Sequence, residues 1–594
     1  MTRTFVMKPT HAALWLALSI VCGYASPALA DTEYRFAGSH MGQVYRFGLT
    51  VTVILNQDET AARISVQPAI DSWACFLIDI CYYVERVTVS GLGVPLPTGS
   101  NVSVPLTETQ AEMLQTGHGQ FSAAVMLSVN NTAVADPESF DLDLVQVFGP
   151  PPAPPMHTYL LAEGATGAFF ETDLLLLNPN STAVEATLTF RTDTGAIVEQ
   201  QTHLPAWSRH TLRLNTIPGL ESTTMTTRVR ARSETPLVIE RTMRWDATAY
   251  EGHTERASEG AATHWYFAEG AQGFFRTYLL LANAGSTPNG ASIRFLIEGS
   301  GPVSRRVDLA PWARITFDLG DIAELQDRSF GTEVVFDQPG LAERATYLGG
   351  HPLFSVGHES AGGSLGTAWL LAEGATGEFF ETFVLLANPN TVAADVNVRH
   401  FTADGSIIKR THHVPASQRL TINLEAEGSA ELTNTSVSTL ITSTVPVIVE
   451  RTLYWPGSPS QWTGAHSSVG ANVVSQTWGL AEGRVGGPEH FQTYILLANV
   501  GLVGATTTIR FVPEDGTPFD RVFIVPALSR VTVGIGPGTD VPELQDRGFG
   551  AYITSTAPIA VERSMYWDAN GVVWAAGTNA LGTPFKPVSL QFPF

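Results

Sequence analysis

Leu160-Leu161-Ala162-Glu163-Gly164-Ala165-Thr166-Gly167 returns letter for letter as Leu370-Leu371-Ala372-Glu373-Gly374-Ala375-Thr376-Gly377. An identical octapeptide this far apart marks an internal duplication, and it sets the frame for the rest of the chain. Its Ala-Glu-Gly centre stands at 162–164, 268–270, 372–374 and 481–483, so successive copies are 106, 104 and 109 residues apart. Three positions before each Ala lies an aromatic residue: Tyr159, Trp265, Trp369 and Trp478. A Phe-x-Thr follows, ending at Thr172, Thr277, Thr382 and Thr493, and an apolar run leads from it to Asn178, Asn283, Asn388 and Asn499. Arg209, Arg314, Arg419 and Arg530 each follow that Asn by 31 positions. A Glu-Arg pair then recurs as Glu240-Arg241, Glu343-Arg344, Glu450-Arg451 and Glu562-Arg563. The copies also pair off: Glu-Leu-Gln-Asp-Arg occurs at Glu324 and Glu543, in copies two and four only. One duplication made an unlike pair, and a second duplicated that pair.

Within a copy the pattern is β throughout. Ala186–Phe190, His210–Leu214 and Pro236–Met243 read as strands, and clusters such as Asn178-Pro179-Asn180 and Thr192-Asp193-Thr194-Gly195 as turns. About seven short strands in roughly 105 residues is the size of an immunoglobulin-like sandwich, whereas a propeller blade needs about 40–50. No copy has the Cys–Trp–Cys hallmark of antibody domains. The expected fold is therefore all-β: tandem immunoglobulin-like β-sandwiches at 156–261, 262–366, 367–474 and 475–594. A different β domain, 31–149, precedes them, joined by the stiff polyproline linker 150–155.

Residues 1–30 read as a secretory signal. Arg3 and Lys8 supply the positive start, Ala12 to Ala25 the apolar stretch, and Ala28-Leu29-Ala30 the cleavage site. The rival, a lipoprotein signal ending at Cys22, has Val21 where a small residue is wanted. No later apolar run reaches the roughly 18–20 residues that span a bilayer, so no membrane span is expected in the mature chain. Removing the signal leaves Cys75 and Cys81. In an oxidising compartment they read as a loop-closing disulfide, because the residues between them supply no further zinc ligand. The expected location is secreted, periplasmic or at the cell surface.

The repeats resemble a family of secreted bacterial immunoglobulin-like repeat domains to which no activity is attached. The shared pattern is aromatic-x-x-Ala-Glu-Gly, Leu-Leu-Ala-Asn-Pro, Val-Pro-Ala-x-Ser-Arg and Val-Glu-Arg-Ser-Met-Tyr-Trp, the last seen intact at Val561 to Trp567. The resemblance covers about 156–594. Copy two departs from it, with Leu348 in place of the final Trp. It implies the fold and the compartment, and no reaction.

The 594 residues are 44% hydrophobic and 15% charged, enough apolar content for several cores. A net charge of -22 without a basic stripe excludes nucleic acid as a partner. No catalytic residue, metal site or cofactor motif stands out. Gly362-Gly363-Ser364-Leu365-Gly366 matches a serine-hydrolase elbow, but it lies between β repeats and lacks the strand–helix setting of that motif. The histidines are scattered, and Asp141 and Asp143 have no calcium loop around them. Glycoside-hydrolysing carboxylate pairs need no proximity in sequence, yet catalytic domains are seldom built from four near-equivalent copies. Trp207 and Trp312 share one loop position, where an exposed ring could contact a ligand or cover the end of its own sandwich.

Strand alternation places Arg241, Arg344, Arg451 and Arg563 among apolar residues on what should be an inward face. A guanidinium there must find acceptors. The expected partners are Glu163, Glu269, Glu373 and Glu482 of the same copies, with Asn178, Asn283, Asn388 and Asn499 as further candidates. Functionally, the sequence suggests an exported, non-enzymatic structural or adhesive protein, a rod of sandwiches displaying the N-terminal domain to an extracellular protein or glycan. The alternative is a secreted enzyme or inhibitor whose working part is 31–149.

Overall fold

A computed structural model describes residues 154–246, 250–348, 354, 356–456 and 462–590 in full. Between 14 and 148 it describes only the backbone of the strands. The chain divides into two units at Pro155/Met156, where the polyproline segment ends.

In the first unit the strands follow the order Cys75–Phe76, Ile80–Val89, Phe121–Val129, Glu138–Phe148, Thr32–Met41, Tyr45–Leu55, Ala61–Gln67, Asn101–Pro105, paired antiparallel along that path. Leu14–Leu18 adds to Tyr45–Leu55 in parallel. The rest of the signal segment, its cleavage site and the side chains of Cys75 and Cys81 lie outside the described residues. The backbone register sets Cys75 opposite Cys81.

The second unit holds the four copies. In the first, the strands are β1 (Met156–Leu161), β2 (Phe170–Asn178), β3 (Val184–Thr192), β4 (Ile197–Leu204), β5 (Ser208–Arg213), β6 (Met225–Arg232), β7 (Val238–Trp245) and β8 (Glu251–Arg256). Two four-stranded antiparallel sheets, β1-β6-β3-β4 and β5-β2-β7-β8, face each other. Leu174, Leu176, Leu188, Phe190 and Val229 fill the space between them. These residues alternate along β3 and β6 with side chains that are mostly half-buried, so the outer face of this sheet is partly covered as well. In copies two to four the counterparts of β6 and β7 run on as one bent strand, Phe330–Leu348, Val437–Trp455 and Arg547–Ala569. Each carries a proline, Pro339, Pro446 or Pro558, at the crossing from one sheet to the other, and Pro236 stands in the gap of copy one. The fold is all-β and sandwich-like; among the described residues the only helical turns are short 3-10 segments.

The copies do not line up as a rod. The last strands, β8 and its counterparts Val356–Ala361, Gly464–Val469 and Val572–Leu581, pack neighbour against neighbour around one axis, and the fourth returns to the first. A head-to-tail contact repeated with a rotation either opens into a filament or closes, and here four copies close it. The rod expected from sequence took each copy as self-sufficient. β7 shows why it is not: all of its residues but Arg244 are buried, so both of its faces need cover and one sandwich supplies too little.

Candidate functional site

The charged residues that recur in every copy converge at the four junctions. Arg241, Arg344, Arg451 and Arg563 are all at most 1% exposed. Their own-copy partners stand where alternation puts them: Arg241 lies 3.5 Å from Glu163, Arg344 3.2 Å from Glu269 and Arg451 3.0 Å from Glu373. Arg563 instead donates to the backbone carbonyl of Glu482 at 2.9 Å.

The closer carboxylate comes from the following copy. Arg241 donates to Glu343 at 3.0 Å, Arg344 to Glu450 at 2.5 Å and Arg451 to Glu562 at 2.6 Å. Arg563 closes the circle by donating to Glu240 of the first copy at 2.6 Å. The same carboxylates accept from the Ala-Glu-Gly backbone: Glu343 from the N–H groups of Ala162 and Glu163, Glu240 from those of Ala481 and Glu482. Adjacent residues on a strand point to opposite faces. Each Glu-Arg pair therefore reaches backward with its Glu and forward with its Arg. Sequence reasoning missed this set of glutamates, although a signal was present. Val-Glu-Arg-Ser-Met-Tyr-Trp is bulky on both faces, as in a strand covered on both sides.

The second recurring arginine also crosses a junction. Arg314 donates to the carbonyl of Ala162, Arg419 to that of Gly270, Arg530 to those of Gly374 and Val437, and Arg209 to that of Ala481 and to Glu482 and Glu514. The asparagines, by contrast, serve their own copies. Asn178 donates to the carbonyls of Thr182, Leu204 and Pro205 and clamps two loops; Asn283, Asn388 and Asn499 do likewise. They take no part in holding the arginines.

Trp207 and Trp312 are half-buried, and each turns one ring face to a neighbouring copy. Trp207 meets Tyr552 edge-on, with Arg510 of the fourth copy 4.6 Å over its ring, and Arg191 of the first copy lies 4.5 Å over Trp312. The loop presents its residue with φ of 48 and 58 in the two cases, and the counterparts Ser417 and Leu528 keep the same left-handed backbone. The ring face is spent on a neighbouring copy.

A third layer lies nearer the axis. Trp245, Trp455 and Trp567 are essentially buried, and each donates its indole N–H to a carbonyl of the following copy: Phe354, Trp574 and Tyr250 respectively. Below each ring is a glycine, Gly357, Gly577 or Gly252, at which an added Cβ would come within 3.4 Å of the indole. Copy two has Leu348 instead of Trp, and the residue facing it is Ala465. The smaller side chain leaves room for the methyl group.

His253, His358 and His466 stand beside these pairs, 3.7, 3.4 and 3.5 Å from Glu163, Glu269 and Glu373. Burial pushes His358 and His466 down to about 4, against the pull of those glutamates. Burial alone would raise Glu269 and Glu373, but the neighbouring histidine and arginine hold both below the ordinary carboxylate range. The first junction differs, because Glu359 adds a third carboxylate. Burial and then Glu359 drive Glu163 well up, and burial raises Glu343 to about 8. Glu359 itself stays well below its usual value, since Arg241 and His253 outweigh its own burial.

At one mouth of the axis the linkers between copies enclose a cavity of about 460 Å³, lined among others by Glu255, Arg256, Ser364, Asn472, Trp265 and Trp369. Ser364, the centre of the elbow-like motif, accepts a hydrogen bond from the Asn472 amide at 3.0 Å. Burial, then the charge of Glu359, raises Glu255 to about 7.

No protein-family model matches the chain, and no curated protein does. Among solved structures it is similar to that of Thermotoga maritima 1070, at 19% identity over 17% of this chain and 94% of that one, with a TM-score of 0.16. A Streptomyces avermitilis alpha-L-rhamnosidase complexed with L-rhamnose shares 12% identity over 68% and 56% of the two chains, with a TM-score of 0.10. A tetra-tandem repeat from the extending region of a large adhesion protein also shares 12%, over 69% and 93%, at 0.10. At such scores these likenesses carry no argument about function.

Proposed function

We propose that the chain is an exported, non-enzymatic structural or adhesive protein. In this reading the four-copy ring is a rigid platform, and the 31–149 domain is its binding module for an extracellular protein or glycan. One observation carries it: the charged residues that define the repeat are spent on joining copies to one another. A signature of this kind selects for assembly rather than turnover. The reading includes cleavage after Ala30 and a disulfide between Cys75 and Cys81, which the register already sets opposite each other.

The test compares the full mature chain with a chain starting at Met156, on glycan arrays and in pull-downs from cell surfaces. Binding should follow residues 31–149. Equal binding by the shorter chain, or hydrolysis of an arrayed glycan, would sink the proposal. Alkylation followed by mass spectrometry of the exported protein should find Cys75 and Cys81 protected until reduction; two freely modified thiols would remove the disulfide.

A further inference from the structure

The first junction carries more negative charge than its three siblings. Each junction brings together two glutamates and two arginines: Glu163, Glu343, Arg241 and Arg314 at the first, Glu269, Glu450, Arg344 and Arg419 at the second, and so on round the ring. One further position, on the last strand of the following copy, faces each set. It is Ser467, Asn579 or Thr254 at three junctions, where Arg344 donates to Ser467, Asn579 donates to Glu373, and Thr254 pairs with Thr242. At the first junction it is Glu359, 2% exposed. Glu255, whose counterparts are Ser360, Ser468 and Ala580, adds another carboxylate nearby. Arg256, half-buried at the mouth, follows it in sequence where the other copies have Ala361, Val469 and Leu581.

The surplus meets a buried imidazole that stands between two of the carboxylates. His253 is 2% exposed, and neither ring nitrogen makes a hydrogen bond of proper geometry, although Nδ1 lies 2.9 Å from Glu359 and Nε2 3.7 Å from Glu163. Glu359 Oε1 is buried and likewise without a partner. Arg241 holds Glu359 Oε2, the oxygen that faces Nδ1, and donates to Glu343 and to Glu163 Oε2 at 3.5 Å, which leaves Glu359 Oε1 and the imidazole nitrogens without a well-formed hydrogen bond. One donor atom from each of Glu163, His253 and Glu359 lies within 4.8 Å of the others. Ligands about 2.0–2.2 Å from a tetrahedral ion are roughly 3.3–3.5 Å apart, a separation that falls inside this span.

We propose that Glu163, His253 and Glu359 form a site for a divalent first-row transition cation, zinc being the representative, which ties copy one to copy two. One imidazole and two carboxylates are a donor set such ions accept, and the added charge offsets the surplus carboxylates. Glu255, two residues along the strand from His253, lines the axial cavity and brings solvent closest to the site. Sequence reading found no metal spacing because the three ligands are spread over two copies and nearly two hundred positions.

The experiment uses the full-length protein without a histidine tag, equilibrated with zinc chloride, desalted and assayed by elemental mass spectrometry. The wild type should retain about one zinc per chain and melt at a higher temperature with zinc than after chelation. Glu359→Thr, which installs the residue of copy one, should fall below about a tenth of that occupancy and lose the zinc-dependent shift. His253→Thr, which installs the residue of copy four, is the second variant should the first fail to fold. Cobalt in place of zinc should give a visible spectrum of nitrogen and oxygen ligation. A wild type that holds no zinc or cobalt, or variants that hold as much as it does, would overturn the site and leave protons to neutralise the cluster.

Discussion

Arg451 sits with no exposed surface between Glu373 of its own copy and Glu562 of the next, and Glu562 is equally buried. Removing one partner of such a pair leaves a charge stranded, which typically costs about 3–5 kcal/mol. Arg451→Ala and Glu562→Ala should each lower the thermal midpoint strongly, and the double variant should lose clearly less than the sum of the two. Additive losses would show that the pair is not coupled. His466 gives a second handle. It faces Glu373, Arg451, His358 and Tyr566, and burial lowers it from 6.5 to about 4. Between those values the unfolded chain takes up a proton that the folded one refuses, so stability falls as pH drops from 6.5 towards 4. The full effect is roughly 3 kcal/mol. His466→Thr should flatten that part of the stability-versus-pH curve, and a slope equal to that of the wild type would refute the assignment. The arginines were legible in the sequence because alternation exposes a charge in an apolar row. Their stronger partners were not, since the glutamate preceding each arginine serves a different neighbour.

At the scale of the strand, the decisive feature is cover on both faces. The sequence reads Pro236–Met243 as one strand of a sandwich, correctly as to type, whereas the strand runs Val238–Trp245 and its counterparts continue from the preceding strand. What no single copy could reveal was that the second face belongs to another copy, because the seven-residue pattern names no partner. The tryptophan–glycine matching at the last strands makes that relation testable. Leu348→Trp should destabilise the protein by about 1–3 kcal/mol through overpacking against Ala465. Adding Ala465→Gly recreates the arrangement of Trp245 over Gly357 and should recover most of the loss. A double variant no better than Leu348→Trp alone would mean that the two positions do not meet. Trp207 and Trp312 extend the point to the loops, where each large ring packs one face against a neighbouring copy.

For the whole 156–594 unit, closure predicts its dimensions. A compact body of that length has a radius of gyration of about 22 Å, and four sandwiches end to end would roughly double it. Small-angle scattering of this segment should give a value near the first figure, and a profile characteristic of a thin cylinder would contradict the ring. The repeat count and the all-β class could be read from spacing alone, but closure could not, because it depends on the angle between successive copies.

That angle also bears on ancestry. A solenoid can gain or lose a unit and remain a solenoid, whereas a circle of four quarter-turns tolerates neither three nor five. The pairing of copy one with three and of two with four then acquires a meaning: a forebear half as long could have completed the same circle by associating with its own twin. Fusing the halves would have turned a dissociable, concentration-dependent assembly into a covalent one. It would also have freed each quarter to diverge, as Glu359 and Leu348 have done, without imposing the change on its symmetry mate.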